Sequence, residues 1–229
     1  GSTNLSNYVL PTSASGNIGV ITVRPLSTWV GGASGNWSAA SNWDVLPDLS
    51  NVLAVSVPTG KSVTYDAAAG STNLGSLTAA GLSIAGGTLT IANNLTVNSS
   101  FSKTGGTLSF GAGASAGITQ ASGDLNLPAM TVASLSLSAP AGAITQSGAI
   151  VASNLITQSV TGATLTDSGN RIANFNAANS GSGNIALINT GALSIGGISN
   201  TGGGINIDNT GAVSTVGAVT APAGAVSIV

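Results

Sequence analysis

The 229-residue chain has no cysteine and no histidine, and its six acidic residues are all aspartate: Asp44, Asp48, Asp66, Asp124, Asp167 and Asp208. Each absence removes a chemistry. A Ser-His-Asp triad, a histidine general base, a thiol nucleophile and a Cys/His zinc site all need side chains this chain lacks. Only 4% of residues are charged, against about 25% in ordinary soluble domains. The four cations, Arg24, Lys61, Lys103 and Arg171, are spread along the chain, so no phosphate-tracking stripe forms and nucleic acid is not expected as a partner. Long apolar runs are missing too. No stretch approaches the ~18 residues of a spanning helix, and the alternating runs fall short of the ~9–11 residues of a membrane strand. Membrane insertion is therefore not expected, and no charged-then-apolar signal segment opens the chain. The overall expectation is a protein without enzymatic activity.

What is present is small, apolar and periodic. The apolar share of 42% is too high for simple disorder, which combines low hydrophobicity with high charge. Apolar-polar-apolar triplets fall at Leu82-Ser83-Ile84, Leu89-Thr90-Ile91, Leu95-Thr96-Val97, Phe101-Ser102-Lys103 and Leu108-Ser109-Phe110. Three steps carry Leu82 to Phe101 and Leu89 to Leu108, each a shift of 19. Near the other end Ile185, Ile205 and Val226 are 20 and 21 apart, Leu193 and Val213 are 20 apart, and Ile198 and Val219 are 21 apart. Two separate stretches thus return the same unit.

A unit of about 20 residues with three short period-2 strands has no room for a βαβ crossover. It fits one coil of an all-β, three-faced parallel β-helix, in which residues i and i+2 point inward and each strand pairs with its counterpart one coil on, at about 4.8 Å. Eleven coils, 229 divided by about 20, would make a rod of at most about 50 Å. Gly86-Gly87, Gly105-Gly106 and Gly196-Gly197 are expected to supply positive φ at corners. Leu, Ile and Val form inward columns, Ser, Thr and Asn face water, and Asn ladders add hydrogen bonds along the axis. Low charge follows, because like charges stacked every coil repel. The competing β-sandwich wants strands of five or six residues joined as hairpins, with turns every 8–12 residues. Residues 1–25 are assigned to the first coil or coils, 26–70 to a Trp-rich insertion or small subdomain, and 71–229 to the parallel β-helix. Val226–Val229 ends on a strand-like run without a polar cap, and the chain is expected to be part of something longer.

All three tryptophans lie in the 26–70 stretch, in Thr28-Trp29-Val30-Gly31-Gly32, Gly35-Asn36-Trp37-Ser38 and Ser41-Asn42-Trp43-Asp44. Two readings stand. Trp29, Trp37 and Trp43, with Asn36 and Asn42 beside them, could form a platform for a matrix or host glycan, since indole rings stack on sugar faces; or the rings form a minicore of the insertion. Asp44 and Asp48, beside Pro47, could share a Ca²⁺ with loop carbonyls; otherwise they are turn residues. No other cofactor is expected. Asp167 and Arg171 are read as a corner ion pair; the lesser alternative is a polysaccharide-degrading β-helix enzyme, which works with acidic and basic side chains of this kind. Thr88-Leu89-Thr90 and Thr164-Leu165-Thr166 are too few for an ice-binding row.

The stretch from about Gly142 to Ile228 resembles the repeats of filamentous-haemagglutinin-like exoproteins. The words that carry the resemblance are Gly142-Ala143-Ile144-Thr145-Gln146-Ser147-Gly148-Ala149-Ile150, Gly181-Ser182-Gly183-Asn184-Ile185-Ala186-Leu187-Ile188-Asn189 and Gly191-Ala192-Leu193-Ser194-Ile195-Gly196-Gly197. The Trp-x-Gly-Gly, Gly-x-Trp and Asn-Trp pattern resembles a module of large surface proteins of the same sort. The resemblance implies a right-handed parallel β-helix within a large bacterial adhesin. Such a protein is exported through an outer-membrane partner of the two-partner secretion type, and acts at the cell surface or outside the cell in attachment, aggregation or biofilm cohesion. The absence of cysteine fits passage through an oxidising periplasm. The family's N-terminal secretion domain is not recognisable at the start of this chain.

Overall fold

The computed structural model describes residues 23–48 and 50–229; the first coil expected over 1–25 lies, apart from 23–25, outside them. Strands follow one another with almost no helix between. The first nine are Arg24–Thr28 (β1), Ser34–Asn36 (β2), Val52–Tyr65 (β3), Ser71–Ile84 (β4), Thr88–Lys103 (β5), Thr107–Phe110 (β6), Ser115–Thr119 (β7), Leu125–Leu127 (β8) and Met130–Ala139 (β9). The rest are Ile144–Gln146 (β10), Ile150–Ser159 (β11), Ala163–Leu165 (β12), Arg171–Ser182 (β13), Ile185–Thr190 (β14), Leu193–Gly202 (β15), Ile205–Thr210 (β16), Val213–Thr215 (β17), Val219–Thr220 (β18) and Val226–Ile228 (β19). Every strand-to-strand pairing in both sheets is parallel. One sheet has thirteen strands, ten along the path β1-β3-β4-β5-β7-β9-β11-β13-β15-β17 with β2, β6 and β18 beside it, and the other has six, β8-β10-β12-β14-β16-β19. Together they wind a β-solenoid of about 9 turns of roughly 20 residues, about 40 Å of stack at the parallel-strand spacing. Hairpins, the signature of the sandwich alternative, do not occur among the described strands.

The register is the one the triplet spacing requires. Leu82 sits on Phe101, Leu89 on Leu108, Ile185 on Ile205, Ile205 on Val226, Leu193 on Val213 and Ile198 on Val219. One inward column runs Val55-Leu77-Leu95-Ala116-Leu135-Leu155-Phe175-Ile195. Each large member contributes about 1.5–3 kcal/mol by leaving water. The parallel arrangement also places like next to like, so a column grows by repetition of one sequence choice.

The columns are not uniform. β6 pairs only with β5, and the six-stranded sheet begins afresh at β8, so the column that reaches Leu108 ends there, although the step of 19 recurs from β7 to β9 and from β8 to β10. After the Ala121 N–H to Ser99 C=O bond the chain leaves β5, and Gln120 Oε1 accepts the Phe101 N–H at 3.0 Å in place of a following strand. Lys103 is tolerated on the inward parity above Ile84 because it is only half-buried at this step.

Glycine behaves as expected at two of the three corners. Gly87 and Gly106 have φ of 65° and 61°, and a Cβ on Gly106 would lie 2.5 Å from the Gly86 carbonyl oxygen of the coil beneath. Gly196 and Gly197 are different. They lie within β15 at a register irregularity, where Phe175 and Asn176 face Ile195 and Gly197. A Cβ on Gly196 would be 2.3 Å from Asn176 Oδ1, so close approach, not positive φ, requires glycine there.

Asparagine does not only face water. Asn170, Asn179, Asn189, Asn200 and Asn209 are buried and form ladders between coils. The Asn179 amide donates to Asn200 Oδ1 at 2.8 Å and the Asn189 amide to Asn209 Oδ1 at 2.8 Å. Asn179 Oδ1 accepts from Ser159 Oγ and the Gly162 N–H. Buried amides linked in this way satisfy corner backbone groups that no strand can reach. Thr157 is the contrary case. It is fully buried in the column between Leu137 and Ala177, and its hydroxyl has no hydrogen-bond partner. Thr157→Val keeps the shape and removes the orphan, so it is expected to stabilise the protein by about 1 kcal/mol, read as a rise in urea midpoint at unchanged m-value.

Candidate functional site

The Trp-bearing stretch begins as strands of the solenoid, and the segment between β2 and β3 is inserted into that coil. β1 and β2 pair in register with β3, so that Thr28 lies on Ser56 and Asn36 on Thr64. By parity Trp29 follows above Val57 and Trp37 above Tyr65, with the Trp29 and Trp37 N–H groups bonded to the Ser56 and Thr64 carbonyls at 2.9 and 2.8 Å. Both rings thereby occupy inward columns. The chain then turns through the short 3₁₀ segment Ala40–Asn42 and returns Trp43 against them, through an isolated antiparallel bridge to Trp29. Ring centroids are 5.1 Å apart for Trp29 and Trp43, 4.8 Å for Trp37 and Trp43, and 5.1 Å for Trp37 and Tyr65. Edge-to-face and tilted packings of this kind are favoured by the ring quadrupoles.

The sugar-platform reading of Trp29, Trp37 and Trp43 does not fit this geometry. The rings are 3%, 1% and 4% exposed, and a stacking surface needs an open face. Each indole N–H is also already used, donating to the carbonyls of Gly32, Pro47 and Trp37 respectively. The site residues do meet, but as an apolar plug over the β3 coil. Asn42 explains the glycines of the pattern: Cβ atoms on Gly31 and Gly35 would fall 2.5 and 2.7 Å from its side-chain amide. Its Nδ2 donates to the Asn36 carbonyl at 3.0 Å, while the Asn36 side chain is exposed. The three tryptophans are accordingly expected to emit as buried indoles and to resist acrylamide quenching until the N-terminal coils unfold; free quenching in the native protein would contradict the plug.

The aspartates lace this plug down. Asp44 Oδ2 accepts from Arg24 at 2.8 Å, and its Oδ1 accepts from Ser27 Oγ and the Thr28 and Val45 N–H groups. Asp66 accepts from the Ser38 N–H and hydroxyl. Both Asp44 oxygens are thus engaged by protein donors, one of them a guanidinium, which disfavours a cation shared with Asp48. Among the described residues no group of three or more His, Cys, Asp or Glu side chains could hold a metal ion. Asp48 is tied into its turn, its N–H donating to Asn51 Oδ1 and its carbonyl accepting the Asn51 N–H. Burial raises the Tyr65 hydroxyl above its ordinary value of 10.0, and it donates to the Thr88 carbonyl at 2.8 Å.

The expected Asp167–Arg171 ion pair does not form. Asp167 Oδ1 accepts the Gly169 N–H at 2.8 Å, closing its own turn, and the one salt bridge among the described residues is Arg24–Asp44. The expected asparagine ladder along the axis is found on the outer surface of β5, β7, β9, β11 and β13, where serines share the row. Ser115 Oγ donates to Asn94 Oδ1, Asn154 Nδ2 to Ser134 Oγ, and Asn174 Nδ2 to Asn154 Oδ1, at 2.9–3.2 Å. Strand parity with the coil period stacks them.

No family model matches the chain, and no curated protein or solved structure matches it. The fold defines its class, a parallel β-solenoid with a tryptophan cluster packed on its β3 coil. No helix among the described residues is long and apolar enough to cross a membrane.

Proposed function

We propose that this chain is a non-catalytic, load-bearing segment of a large secreted bacterial adhesin, a stiff spacer that holds binding surfaces away from the cell in attachment, aggregation or biofilm cohesion. The observation that carries the reading is the unbroken axial stack, in which consecutive coils from β3 to β15 exchange backbone hydrogen bonds along strands of up to 16 residues. Tension along the axis loads many such bonds at once, as a spacer requires. Supporting it, four of the six aspartates, Asp44, Asp66, Asp124 and Asp167, accept backbone N–H groups, and Asp44 also pairs with Arg24. The resemblance of the 142–228 repeats to filamentous-haemagglutinin-like exoproteins supplies the surface setting, and export by an outer-membrane partner belongs to that setting.

The test is to pull single molecules held at the two ends. A spacer extends little until discrete coil-sized ruptures occur at high force. Smooth lengthening at low force, as of a flexible linker, or turnover of a polysaccharide by the purified chain, would overturn the reading.

A further inference from the structure

The solenoid surface carries a groove of about 490 Å³ over β5, β7, β9, β11 and β13. Two rows of outward side chains form its walls. One runs Asn94-Ser115-Ser134-Asn154 and the other Thr96-Gly117-Ser136-Ile156-Asn176, each member in register with the next. Gly117 opens a notch in the second row, since a Cβ built on it would meet no atom within 4 Å. Three coils on, Asn176 closes the row, and Ile156 between them is 42% exposed.

What this groove can hold follows from what lines it. No charged side chain takes part, which disfavours nucleic acid, acidic polymers and ionic peptides. β7, β9 and β11 have a neighbouring strand on both sides, so no backbone edge is free to capture an added strand. The walls offer hydroxyls and amides, both donor and acceptor, already oriented by bonds within the first row, Ser115 Oγ to Asn94 Oδ1 and Asn154 Nδ2 to Ser134 Oγ, and by one between the rows, Asn94 Nδ2 to Thr96 Oγ1. Pre-orientation lowers the ordering cost of binding. A fitting occupant is uncharged, carries closely spaced donors and acceptors, has an apolar face for Ile156, and repeats along its length at close to the coil rise of about 4.8 Å. An extended, β-linked neutral glycan has all four properties. Its pyranose C–H face meets Ile156 while its hydroxyls meet the rows.

We infer that this groove is a binding site for a neutral linear polysaccharide lying along the solenoid axis, seated at the Gly117 notch. The inference rests on the adhesive reading, to which it gives a ligand class, and it replaces the buried tryptophans as the glycan-contacting surface.

The test uses the full chain and the soluble hexasaccharides of cellulose, mannan and xylan in calorimetric titration. At least one is expected to bind. Gly117→Val, which fills the notch with a strand-favouring side chain, is expected to weaken that binding at least tenfold with the thermal midpoint unchanged. Should that variant not fold, Ile156→Ser reads the same surface, with an expected loss of about fivefold. Arg171→Gln, on the adjoining groove lined by Thr131, Val151 and Ser153, is expected to leave binding within twofold. Binding insensitive to both groove variants, or lost with Arg171→Gln, would overturn the assignment. So would absence of binding to all three sugars, and if force–extension then remained rod-like, the site alone would fall and the spacer reading would stand.

Discussion

Replacing Asn170 with alanine is expected to cost about 4 kcal/mol, because one buried side chain bonds backbone groups of several coils at once. Asn170 is fully buried. Its Oδ1 accepts the Ile150 N–H at 2.8 Å and Gln146 Nε2 at 2.9 Å. Its Nδ2 lies 3.0 Å from Gln146 Oε1, 3.1 Å from the Leu165 carbonyl and 3.0 Å from the Ile188 carbonyl. One amide thus joins the coils of β10–β11, β12 and β14. Alanine would leave the Ile150 N–H and the Leu165 and Ile188 carbonyls without this partner, at about 1–3 kcal/mol for each group left unsatisfied. Relaxation recovers part of that sum. Stability in a stacked repeat is a sum of local and nearest-neighbour contributions, so the loss should appear first as faster amide exchange at Ile150 and its neighbours, then as a lower urea midpoint. Asn154→Ala, in the exposed ladder, is the control and should change stability by less than about 0.5 kcal/mol. Equal effects at the two positions would mean that the buried ladder does not organise the coils.

Trp43→Ala is expected to cost about 3–5 kcal/mol, localised to the N-terminal coils. Trp43 is the ring that returns over Trp29 and Trp37, and its N–H holds the Trp37 carbonyl at 2.8 Å. Without it Trp29 and Trp37 lose the ring packed against both of them. Amide exchange in β14–β16 should be unchanged. Trp43→Phe keeps most of the packing and should lose less than half as much. A mild, delocalised effect of Trp43→Ala would show that the cluster does not hold the N-terminal coils.

Much of the fold could be read from the sequence because a parallel solenoid repeats the same inward choice each coil. Leu82 and Phe101, or Ile205 and Val226, are neighbours in space for the same reason that they are about 20 apart in the chain. What broke the reading were places where a coil is not a copy of the last. Trp29 and Trp37 obey inward parity, yet the 28-residue step from Ser27 to Val55 hides the period, so the whole stretch reads as an insertion. The start of a new column at β8 is equally unmarked, since Leu125 and Leu127 look like any other triplet. The inward asparagines were legible in principle: Asn189 and Asn209 continue the i, i+2, i+4 parity of Ile185-Leu187 and Ile205-Ile207. Polarity alone assigns them to water; parity assigns them inside, and the hydrogen-bonded amide pair between them resolves the conflict. The groove could not be read, because its notch is an absence, Gly117, whose meaning depends on Thr96 and Ser136 standing on either side one coil away.

The central claim is that each coil pairs with the same strand of the next and not with its neighbour in sequence. The cysteine-free chain allows this to be measured directly by engineered disulfides. Ser83 and Ser102 are in register with their hydroxyl oxygens 3.0 Å apart, close enough for a bridge that needs Cα atoms about 4.4–6.8 Å apart. Under mild oxidation S83C/S102C should cross-link rapidly and without loss of thermal stability, whereas S83C/T90C should stay reduced. Cross-linking of S83C/T90C in place of S83C/S102C would reveal a hairpin turning at Gly86-Gly87 and would contradict the solenoid, and with it the spacer and its glycan groove.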